Sequence, residues 1–332
     1  MPTNLPPQAA EAEERYKAAR DPEEKAARLE DFLALIPKHK GTDKLRADLR
    51  KRLSQLREAA EGGRKKPGGG GSGAAWKIDR EGAGQVVLVG PPNAGKSALL
   101  AALTEARPEV ADYPWTTRAP MPGMMAFEDV RIQLVDTPPL AREHLEPELL
   151  DLVRRADALL AVVDLGADAL GQLAEVAALL AERKVVPRHL RPAEPERGTV
   201  YPSALALVNK FDGPGQDADW EVFRGLLELD WPVLPVSAAT GRNLDELRRR
   251  VYELLGIMRV YAKPPGAKAD LGSPFTLPIG STVAEFAAAV HRDLGETLLS
   301  ARVWGTGVHD GQTVSRDHVL HERDVVELKT PR

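Results

Sequence analysis

The stretch Gly90-Pro91-Pro92-Asn93-Ala94-Gly95-Lys96-Ser97 decides how the rest of the chain is interpreted. It follows the apolar run Gln85-Val86-Val87-Leu88-Val89, which predicts a buried strand, and it leads into residues 98–103, which predict a helix. A glycine-lined turn between a strand and a helix lets backbone N–H groups converge on an anion, and the helix N-terminus adds positive partial charge. We therefore interpret the stretch as a phosphate-binding loop.

Individual residues of this loop have separate predicted roles. The spacing places Lys96 where its ammonium group reaches the β- and γ-phosphates of a nucleotide, and Ser97 where its hydroxyl binds Mg²⁺. The remaining predicted nucleotide contacts within the loop and at the helix start are Gly90, Asn93, Ala94, Gly95 and Ala98. The alternative is a glycine/proline turn with an incidental lysine, which the flanking strand and helix disfavour.

Composition limits the classes of protein that fit. The 332 residues are 43% hydrophobic, enough for one sizeable core and a second small one. The 45 basic and 49 acidic residues nearly cancel, so any nucleic-acid surface has to be local. Cysteine is absent, which excludes disulfides and thiol catalysis. We find no signal-peptide pattern and no run of eighteen apolar residues, and we expect a cytoplasmic protein without membrane contact.

Four regions follow from the changes in composition. Residues 1–66 are predicted to be helical, with Pro37 between two helices that form a hairpin. Residues 67–82 include a glycine-rich run and are predicted to be a linker. Residues 83–256 alternate strands with helices, which predicts an α/β domain with a mostly parallel sheet and helices on both faces. Residues 257–332 predict a small mixed-sheet module.

The N-terminal region carries local positive charge. Residues 38–66 contain eleven lysines and arginines against four acidic residues, a surplus of seven. Such a surplus on a nearly neutral protein favours contact with RNA phosphates, and the alternative is a solvated helix face. In residues 257–332 the basic and acidic side chains balance, so no strong phosphate-binding field is expected there.

Specific elements are predicted in the two folded regions. Strands are predicted at 86–89, 130–135, 159–163, 205–208 and 233–236, and then at 258–261, 275–277, 302–304 and 324–328. Helices are predicted at 149–155, 170–183, 220–229 and 244–255. Asn243 and Glu246 are spaced as a capping box for the last of these helices, and Thr282 and Glu285 for another in the second module.

The motif Asn209-Lys210-Phe211-Asp212 follows an apolar strand and predicts guanine recognition. The Asp212 carboxylate can accept hydrogen bonds from N1–H and the N2 amine of guanine, the Lys210 stem can cover the base, and Asn209 can brace the loops. A site built for such groups rejects an analogue without them by roughly 10⁴ or more. Ser237-Ala238-Ala239, after the next strand, is predicted to add a backbone N–H for guanine O6.

Two further positions complete the predicted magnesium site. Asp136 ends a strand where a carboxylate can support the ion. Thr117, in Tyr113-Pro114-Trp115-Thr116-Thr117, is preferred over Thr116 as a ligand that binds magnesium only when the γ-phosphate is present. Catalysis is accordingly assigned to Lys96, Thr117 and Asp136. A strand-end aspartate and a loop threonine would carry no such meaning without the other motifs.

The order of motifs, GPPNAGKS, YPWTT, DTPP, NKFD and SAAT, resembles the Obg and developmentally regulated GTP-binding protein (DRG) group of GTPases. The tail, with VYAKPPG at 260–266, is similar to their TGS domain, a ubiquitin-like β-grasp module. The resemblance implies binding of GTP and GDP, slow hydrolysis with Mg²⁺, and work with ribosomes or translation. It also implies a protein partner for the N-terminal region or the TGS domain. Asn93 resembles the asparagine of potassium-activated GTPases, which implies K⁺ as a further cofactor; the alternative is an ordinary loop residue.

Three departures from the family pattern carry expectations of their own. Pro139 stands where the group has a glycine whose N–H binds the γ-phosphate, and proline has no N–H. Leu140 stands where Ras-like enzymes carry a water-orienting glutamine, although an apolar residue at this position is usual in the group that this chain resembles. The stretch 164–205 is too short for the small domain that DRG proteins insert. An alternative function is therefore a nucleotide-binding RNA or protein adaptor with little hydrolysis.

Overall fold

The computed structural model describes residues 78–106, 119–142 and 146–330, together with Arg28, Leu29 and Leu49, which are helical. Apart from these three residues, the predicted helical hairpin lies outside the described residues, and so does the glycine-rich run. The chain divides into two units, Met1–Gly71 and Ser72–Arg332. All helices and strands whose bounds are given below lie in the second unit.

The first sheet has six strands in the order β2-β3-β1-β4-β5-β6. Its strands are β1 (Gln85–Val89), β2 (Met121–Phe127), β3 (Val130–Asp136), β4 (Ala158–Asp164), β5 (Ser203–Asn209) and β6 (Val233–Pro235). The pairs β3–β1, β1–β4, β4–β5 and β5–β6 are parallel, and β2 pairs antiparallel with β3. The predicted mostly parallel sheet is therefore confirmed, and β2 is a strand that we did not predict.

Strand β2 lacks the usual sequence signals of a strand. It contains Pro122 and Gly123, and an edge strand tolerates proline because one side of its backbone needs no partner. A Cβ on Gly123 would lie 2.6 Å from Thr104 Oγ1, so the small residue allows the helix end to approach the strand. Tertiary packing against β3 and the neighbouring helix therefore makes this segment a strand.

Helices cover both faces of the sheet. They are α1 (Lys96–Leu103), α2 (Pro147–Arg155), α3 (Ala169–Glu182), α4 (Asp217–Leu226) and α5 (Leu244–Leu255). Apolar residues of α1 and α5 pack in one core, whereas those of α2, α3 and α4 pack in the other. Strand β1 is buried at all five positions because both of its faces contact a core, which explains its continuous apolar sequence.

The predicted capping box of α5 is wrong. Asn243 has a left-handed backbone, with φ of 62°, and its side chain makes no capping hydrogen bond. Its Nδ2 donates instead to the carbonyl oxygen of Pro235, and Glu246 pairs with Arg249 and Arg250 on the helix surface. The spacing was correct, but the turn from β6 into α5 needed a residue that tolerates positive φ, and asparagine serves that purpose.

The second sheet has five strands in the order β10-β9-β11-β7-β8. Its elements are β7 (Ile257–Ala262), β8 (Phe275–Pro278), α6 (Val283–Val290), α7 (Arg292–Thr297), β9 (Ser300–Trp304), β10 (Gln312–Val314) and β11 (Asp324–Lys329). Phe286 of α6 is fully buried against one face. The capping box of Thr282 and Glu285 is confirmed. The arrangement is that of the predicted β-grasp module. Strand β10 and helix α7 were not predicted from the sequence.

Arg259 of β7 connects the two sheets. Its guanidinium group is buried and binds Glu128 and Asp129, which form the turn between β2 and β3, with 2.6 Å from Nη1 to Asp129 Oδ1. Its Nε also donates to Glu322 Oε1 at 2.8 Å. Tyr252 of α5 lies beside the guanidinium, 5.1 Å from ring centre to guanidinium carbon. We call Arg259 and these three carboxylates the Arg259 cluster.

The connection between β4 and β5 contains α3, one short 3-10 turn at Arg188–Leu190 and irregular backbone. All of residues 165–202 are described, and they hold no additional domain, as the length of the stretch predicted. Arg154 of α2 fixes this connection by donating to the carbonyl oxygens of Arg183, Lys184 and Gly198. Among the helices of the described ranges, none has both the length and the apolarity to cross a bilayer.

Candidate functional site

The loop between β1 and α1 requires glycine at two positions. Gly90 has φ of 153°, and a Cβ there would lie 2.2 Å from the carbonyl oxygen of Val162. Gly95 has φ of 94°, and a Cβ there would lie 2.1 Å from Asn209 Nδ2. Asn93 also has positive φ, 60°, and is exposed. The backbone can therefore curl tightly here, and close approach to its neighbours leaves no room for side chains at either glycine.

Lys96 is buried at the first turn of α1. Its Nζ donates to the carbonyl oxygens of Gly90 at 3.0 Å and Pro91 at 2.9 Å, so the side chain folds back over the loop. Burial lowers the pKa of Lys96 to about 8, and the nearby charge of Asp136 offsets this only in part. A cation that is held by neutral carbonyl oxygens in a dry site gains strongly from an anionic ligand.

Ser97 and Asp136 meet at the end of β3. Ser97 Oγ donates to Asp136 Oδ2 at 2.5 Å, although the two residues are 39 positions apart in the chain. Thr137 next to it is fully buried, and its hydroxyl donates to the carbonyl oxygen of Leu88 at 2.6 Å, which ties β3 to β1. A hydroxyl and a carboxylate at one point are hard oxygen donors of the kind that Mg²⁺ prefers, so these residues fit the predicted ion.

The segment after Asp136 turns back toward the loop. Pro138 and Pro139 follow Thr137, and Leu140 N–H donates to the carbonyl oxygen of Gly90 at 2.9 Å. Leu140 is buried in the core beneath α2. Thr117, the predicted second ligand of magnesium, and Thr116 lie outside the described residues. The described part of the phosphate end therefore comprises the loop, Ser97, Asp136 and this segment.

Asn209, the last residue of β5, joins the two ends of the site. Its Nδ2 donates to the carbonyl oxygen of Ala94 at 2.9 Å, and its Oδ1 accepts from Ala238 N–H at 3.2 Å. The side chain is buried, so both hydrogen bonds are protected from water. Asn209 thus connects the phosphate loop with the loop after β6, as the sequence suggested. Of the stretch Ser237-Ala238-Ala239, which is predicted to offer a backbone N–H to guanine O6, the N–H of Ala238 binds Asn209 here.

Asp212 is oriented by the loop after β6. Ser237 Oγ donates to Asp212 Oδ1 at 2.6 Å, and Thr240 N–H donates to Ser237 Oγ at 2.9 Å. Because Ser237 is fully buried, it holds one carboxylate oxygen from a fixed position. The structure thus brings Asn209, Asp212, Ser237 and Ala238 together at the same edge of the sheet as the phosphate loop.

Lys210 has a left-handed backbone, with φ of 64°, and pairs with Asp164 at the end of β4. The distance from Lys210 Nζ to Asp164 Oδ2 is 2.6 Å. Asp164 also accepts from Gly166 N–H at 2.9 Å through its other oxygen, so its carboxylate is fixed from both sides. Strand β4 lies between β1 and β5, and its carboxyl end therefore falls between the phosphate loop and the predicted guanine motif.

Sequence reasoning missed two residues of this edge. Asp164 could have been found, because a carboxylate at the carboxyl end of a parallel strand next to β5 must lie near the site. Arg242 gave no such signal, since it lies in a loop outside every motif. Its guanidinium nonetheless covers the ring of Phe211, 3.6 Å from the ring centre.

Comparison with known protein families supports the arrangement. Residues 85–190 match the family described as 50S ribosome-binding GTPase, and residues 258–330 match the TGS domain. The first match contains the phosphate loop and Asp136, and the second contains the five-stranded sheet except Ile257 at the start of β7. Asn209 to Asp212 follow the first match in the same domain.

Individual proteins are similar over most of their length. Developmentally-regulated GTP-binding protein 1 of Xenopus laevis is 27% identical over an alignment of 368 positions, which covers 91% of this chain and 97% of that protein. Ribosome-interacting GTPase 1 of Saccharomyces cerevisiae is 25% identical over an alignment of 369 positions, which covers 92% of this chain and 98% of that protein.

A solved structure shares the fold. The crystal structure of a GTP-binding protein from Pyrococcus horikoshii OT3 aligns with a TM-score of 0.50 at 18% identity, covering 74% of this chain and 100% of that one. The sequence motifs, the two family matches and the named relatives all indicate a GTPase domain followed by a TGS domain. The chain therefore contains a P-loop GTPase domain and a C-terminal TGS domain, and over most of its length it is similar to the developmentally regulated GTP-binding proteins.

Proposed function

We propose that this GTP-binding protein is a slow, magnesium-dependent GTP hydrolase whose nucleotide state controls docking on ribosomes or structured RNA. The observation that carries the proposal is the connection through Asn209, which contacts both the phosphate loop and the loop after β6. Such a connection lets one pocket bind a triphosphate at one end and a guanine at the other. The proposed location is the cytoplasm.

In this proposal the nucleotide is held by residues with distinct tasks. Lys96 exchanges its carbonyl partners for the β- and γ-phosphates, and the N–H groups of residues 93–98 surround the same phosphates. Asp212 accepts from the guanine N1–H and N2 amine, and Lys210 covers the base. No covalent intermediate is required, because positioning and charge carry most phosphoryl transfer.

Magnesium has a proposed place at Ser97 and Asp136, with Thr117 as a ligand that depends on the γ-phosphate. The ion would supply positive charge to the phosphate oxygens. Asn93, which is exposed in the phosphate loop, would bind K⁺ as a second cation. We expect turnover to rise in potassium buffer relative to sodium buffer; equal rates would remove K⁺ from the proposal.

The ribosome is the proposed partner on two grounds, similarity to named relatives and local positive charge. The yeast relative is named a ribosome-interacting GTPase, and one matched family is described as ribosome-binding. The surplus of positive charge at residues 38–66 fits RNA phosphates, and the N-terminal region and the TGS domain are the proposed surfaces for a protein partner. Cosedimentation with ribosomes at two salt concentrations, in GTP and in GDP, tests this. Docking that ignores both salt and nucleotide would contradict it.

A second function, a nucleotide-binding adaptor with little hydrolysis, has its own observation. Pro139 has no N–H for a γ-phosphate, and the next N–H, that of Leu140, donates to the carbonyl oxygen of Gly90. Loss of one charge-assisted hydrogen bond, roughly 1.5–3 kcal/mol, would narrow the preference for GTP over GDP. A thousandfold preference for GTP would exclude this idea.

Single-turnover cleavage of GTP, with and without ribosomes, separates the two functions. The hydrolase predicts cleavage that requires Mg²⁺ and is lost in Asp136→Asn, whereas the adaptor predicts none above the protein-free rate. Nucleotide-free protein should also be titrated with GTP and ATP. Equal affinity for the two would overturn both functions, because Asp212 would then read no guanine.

A further inference from the structure

Arg242 lies in the loop between β6 and α5, opposite the predicted guanine motif. Its guanidinium carbon is 3.6 Å from the centre of the Phe211 ring, and its Nη1 donates to the carbonyl oxygen of Gly213 at 3.1 Å. Its Nη2 pairs with Asp217, at the start of α4, at 2.9 Å. A single side chain therefore contacts the residues on both sides of Asp212.

The two neighbours of Asp212 are themselves fixed. Phe211 is buried, its ring centre lies 6.3 Å from that of Trp220, and its N–H donates to the carbonyl oxygen of Val236 at 3.0 Å. Gly213 N–H donates to Gln216 Oε1 at 2.9 Å. Arg242 adds a further restraint on both neighbours, because its guanidinium stacks on the Phe211 ring and donates to the carbonyl oxygen of Gly213.

The same loop holds Asp212 directly. Ser237 binds the Asp212 carboxylate, and Ser237 N–H donates to the carbonyl oxygen of Arg242 at 3.1 Å. Movement of Arg242 would therefore disturb Asp212 through its backbone neighbours and through Ser237. The carboxylate has to align with two donors of a planar base, so a small rotation costs one of two hydrogen bonds.

We propose that Arg242 is a positioning residue for guanine recognition, which fixes the Asp212 carboxylate by stacking on Phe211 and binding Gly213. This inference rests on the proposed guanine recognition and adds a residue to it. In this role Arg242 acts through Phe211, Gly213 and Asp212 and needs no contact with the base. Its planar, delocalised guanidinium is required, since a lysine ammonium can pair with Asp217 but cannot stack over a ring and bind a carbonyl in the same plane.

The variants Arg242→Ala and Arg242→Lys test the proposal in the full chain. Calorimetric titration with GDP and with IDP separates positioning from folding, because the hypoxanthine base lacks the N2 amine. We expect Arg242→Ala to weaken GDP binding about tenfold and IDP binding about twofold, from the lost stacking and hydrogen bond. Arg242→Lys should lose about fivefold for GDP although it keeps a positive charge.

Arg250→Ala is the matched control, since Arg250 is an exposed arginine of α5 that, among the described residues, forms ion pairs with Glu246 and Glu253 of its own helix. It should bind both nucleotides like the wild type. Phe211→Leu combined with Arg242→Ala should lose little more than either change alone. Equal losses for GDP and IDP, or no loss in either arginine variant, would overturn the proposal. If the wild type itself does not prefer GDP over IDP, the proposed guanine recognition is what fails.

Discussion

Two buried cations, Lys96 and Arg259, show two ways in which this protein handles a charge in its interior. Lys96 is 6% exposed and donates to two neutral carbonyl oxygens. Arg259 is 4% exposed and binds three carboxylates from two sheets. Both side chains have lost most of their water, but only the second has received full charge compensation.

Their pKa values differ accordingly. Burial lowers the pKa of Lys96 to about 8, and Asp136 compensates only partly. Burial alone would also lower the pKa of Arg259, but its hydrogen bonds to Glu128, Asp129 and Glu322 outweigh burial and raise it. The comparison shows that incomplete charge compensation leaves Lys96 able to gain from an anionic ligand, such as the phosphates of the proposed function, whereas the compensated Arg259 holds two sheets together.

The largest expected effect is on nucleotide binding by Lys96→Met. We expect GTP affinity to fall about a thousandfold, because the charge-assisted hydrogen bonds to two phosphates are lost together. Equilibrium titration with a fluorescent GTP analogue measures it. Ala102→Ser, a change on the same helix, serves as a control that should bind normally. A loss below tenfold would show that Lys96 is not a phosphate ligand.

The next effect concerns stability. Arg259→Met removes the cation that three neighbouring carboxylates share, although Glu128 keeps its pair with Arg323. We expect the free energy of unfolding to fall by about 2–3 kcal/mol, less than for a fully buried pair because the carboxylates are partly exposed. Urea unfolding measures it. Arg302→Met, an exposed arginine of the same sheet, should change stability by less than about 0.5 kcal/mol.

The pH dependence should separate the two cations further. The lowered pKa of Lys96 means that its buried charge costs stability below about pH 8, and that stability is recovered as the pH rises toward the ordinary value of 10.5. The difference between a pKa of 10.5 and one of about 8 corresponds to about 3 kcal/mol in the free energy of unfolding. Nucleotide-free Lys96→Met should therefore gain most over the wild type near pH 7 and little near pH 10. A constant difference across this range would contradict the burial argument.

The Arg259 cluster should respond at acid pH instead. Hydrogen bonds from Arg259 and Arg323 lower the pKa of Glu128, and the pKa of Asp129 is lowered too, where the hydrogen bonds from Tyr261 and Arg259 outweigh burial. The stability that these carboxylates contribute is present above about pH 4 and is lost as the pH falls through their folded-state pKa values. Urea unfolding between pH 5 and 3, in about half-unit steps, should show a steeper loss for the wild type than for Arg259→Met.

The smallest effect is expected at Lys210, an intermediate case with one carboxylate partner and 43% side-chain exposure. Asp164→Asn should change the free energy of unfolding by less than about 1 kcal/mol, because exposed ion pairs contribute little. It should weaken GDP binding about threefold, since Lys210 loses its anchor. Titration and unfolding on the same preparation measure both. A large loss of stability would show instead that the pair of Asp164 and Lys210 stabilises the fold as the Arg259 cluster does.

Much of the fold followed from local sequence signals. The phosphate loop and the continuous apolar strands have short-range patterns, and so does the capping box at Thr282, because each depends on residues within a few positions. Strand β2 was missed because its proline and glycine are tolerated only at an edge beside β3. The Arg259 cluster was missed because Arg259 and Asp129 are 130 positions apart, and no local pattern encodes such a contact.

The candidate site divides in the same way. Lys96, Ser97, Asp136 and the guanine motif were found from spacing, and the structure brings their described members to one edge of the sheet. Asp164 and Arg242 act on residues of that motif from other loops, so their significance depends on tertiary contacts. The capping role assigned to Asn243 failed because the turn needed positive φ, which outweighed the capping preference.

Strand β3 has a consequence beyond the sheet. Its seven residues form a stiff connector about 23 Å long. Asp136 lies at one end of the strand, beside Ser97. The turn of Glu128 and Asp129 precedes the other end, and both carboxylates bind Arg259 of the TGS domain. We therefore expect a displacement of this turn to reach Asp136 at the proposed phosphate site. Since linkage is reciprocal, any TGS ligand that strains this connector changes nucleotide affinity by as much as the nucleotide changes the affinity for that ligand.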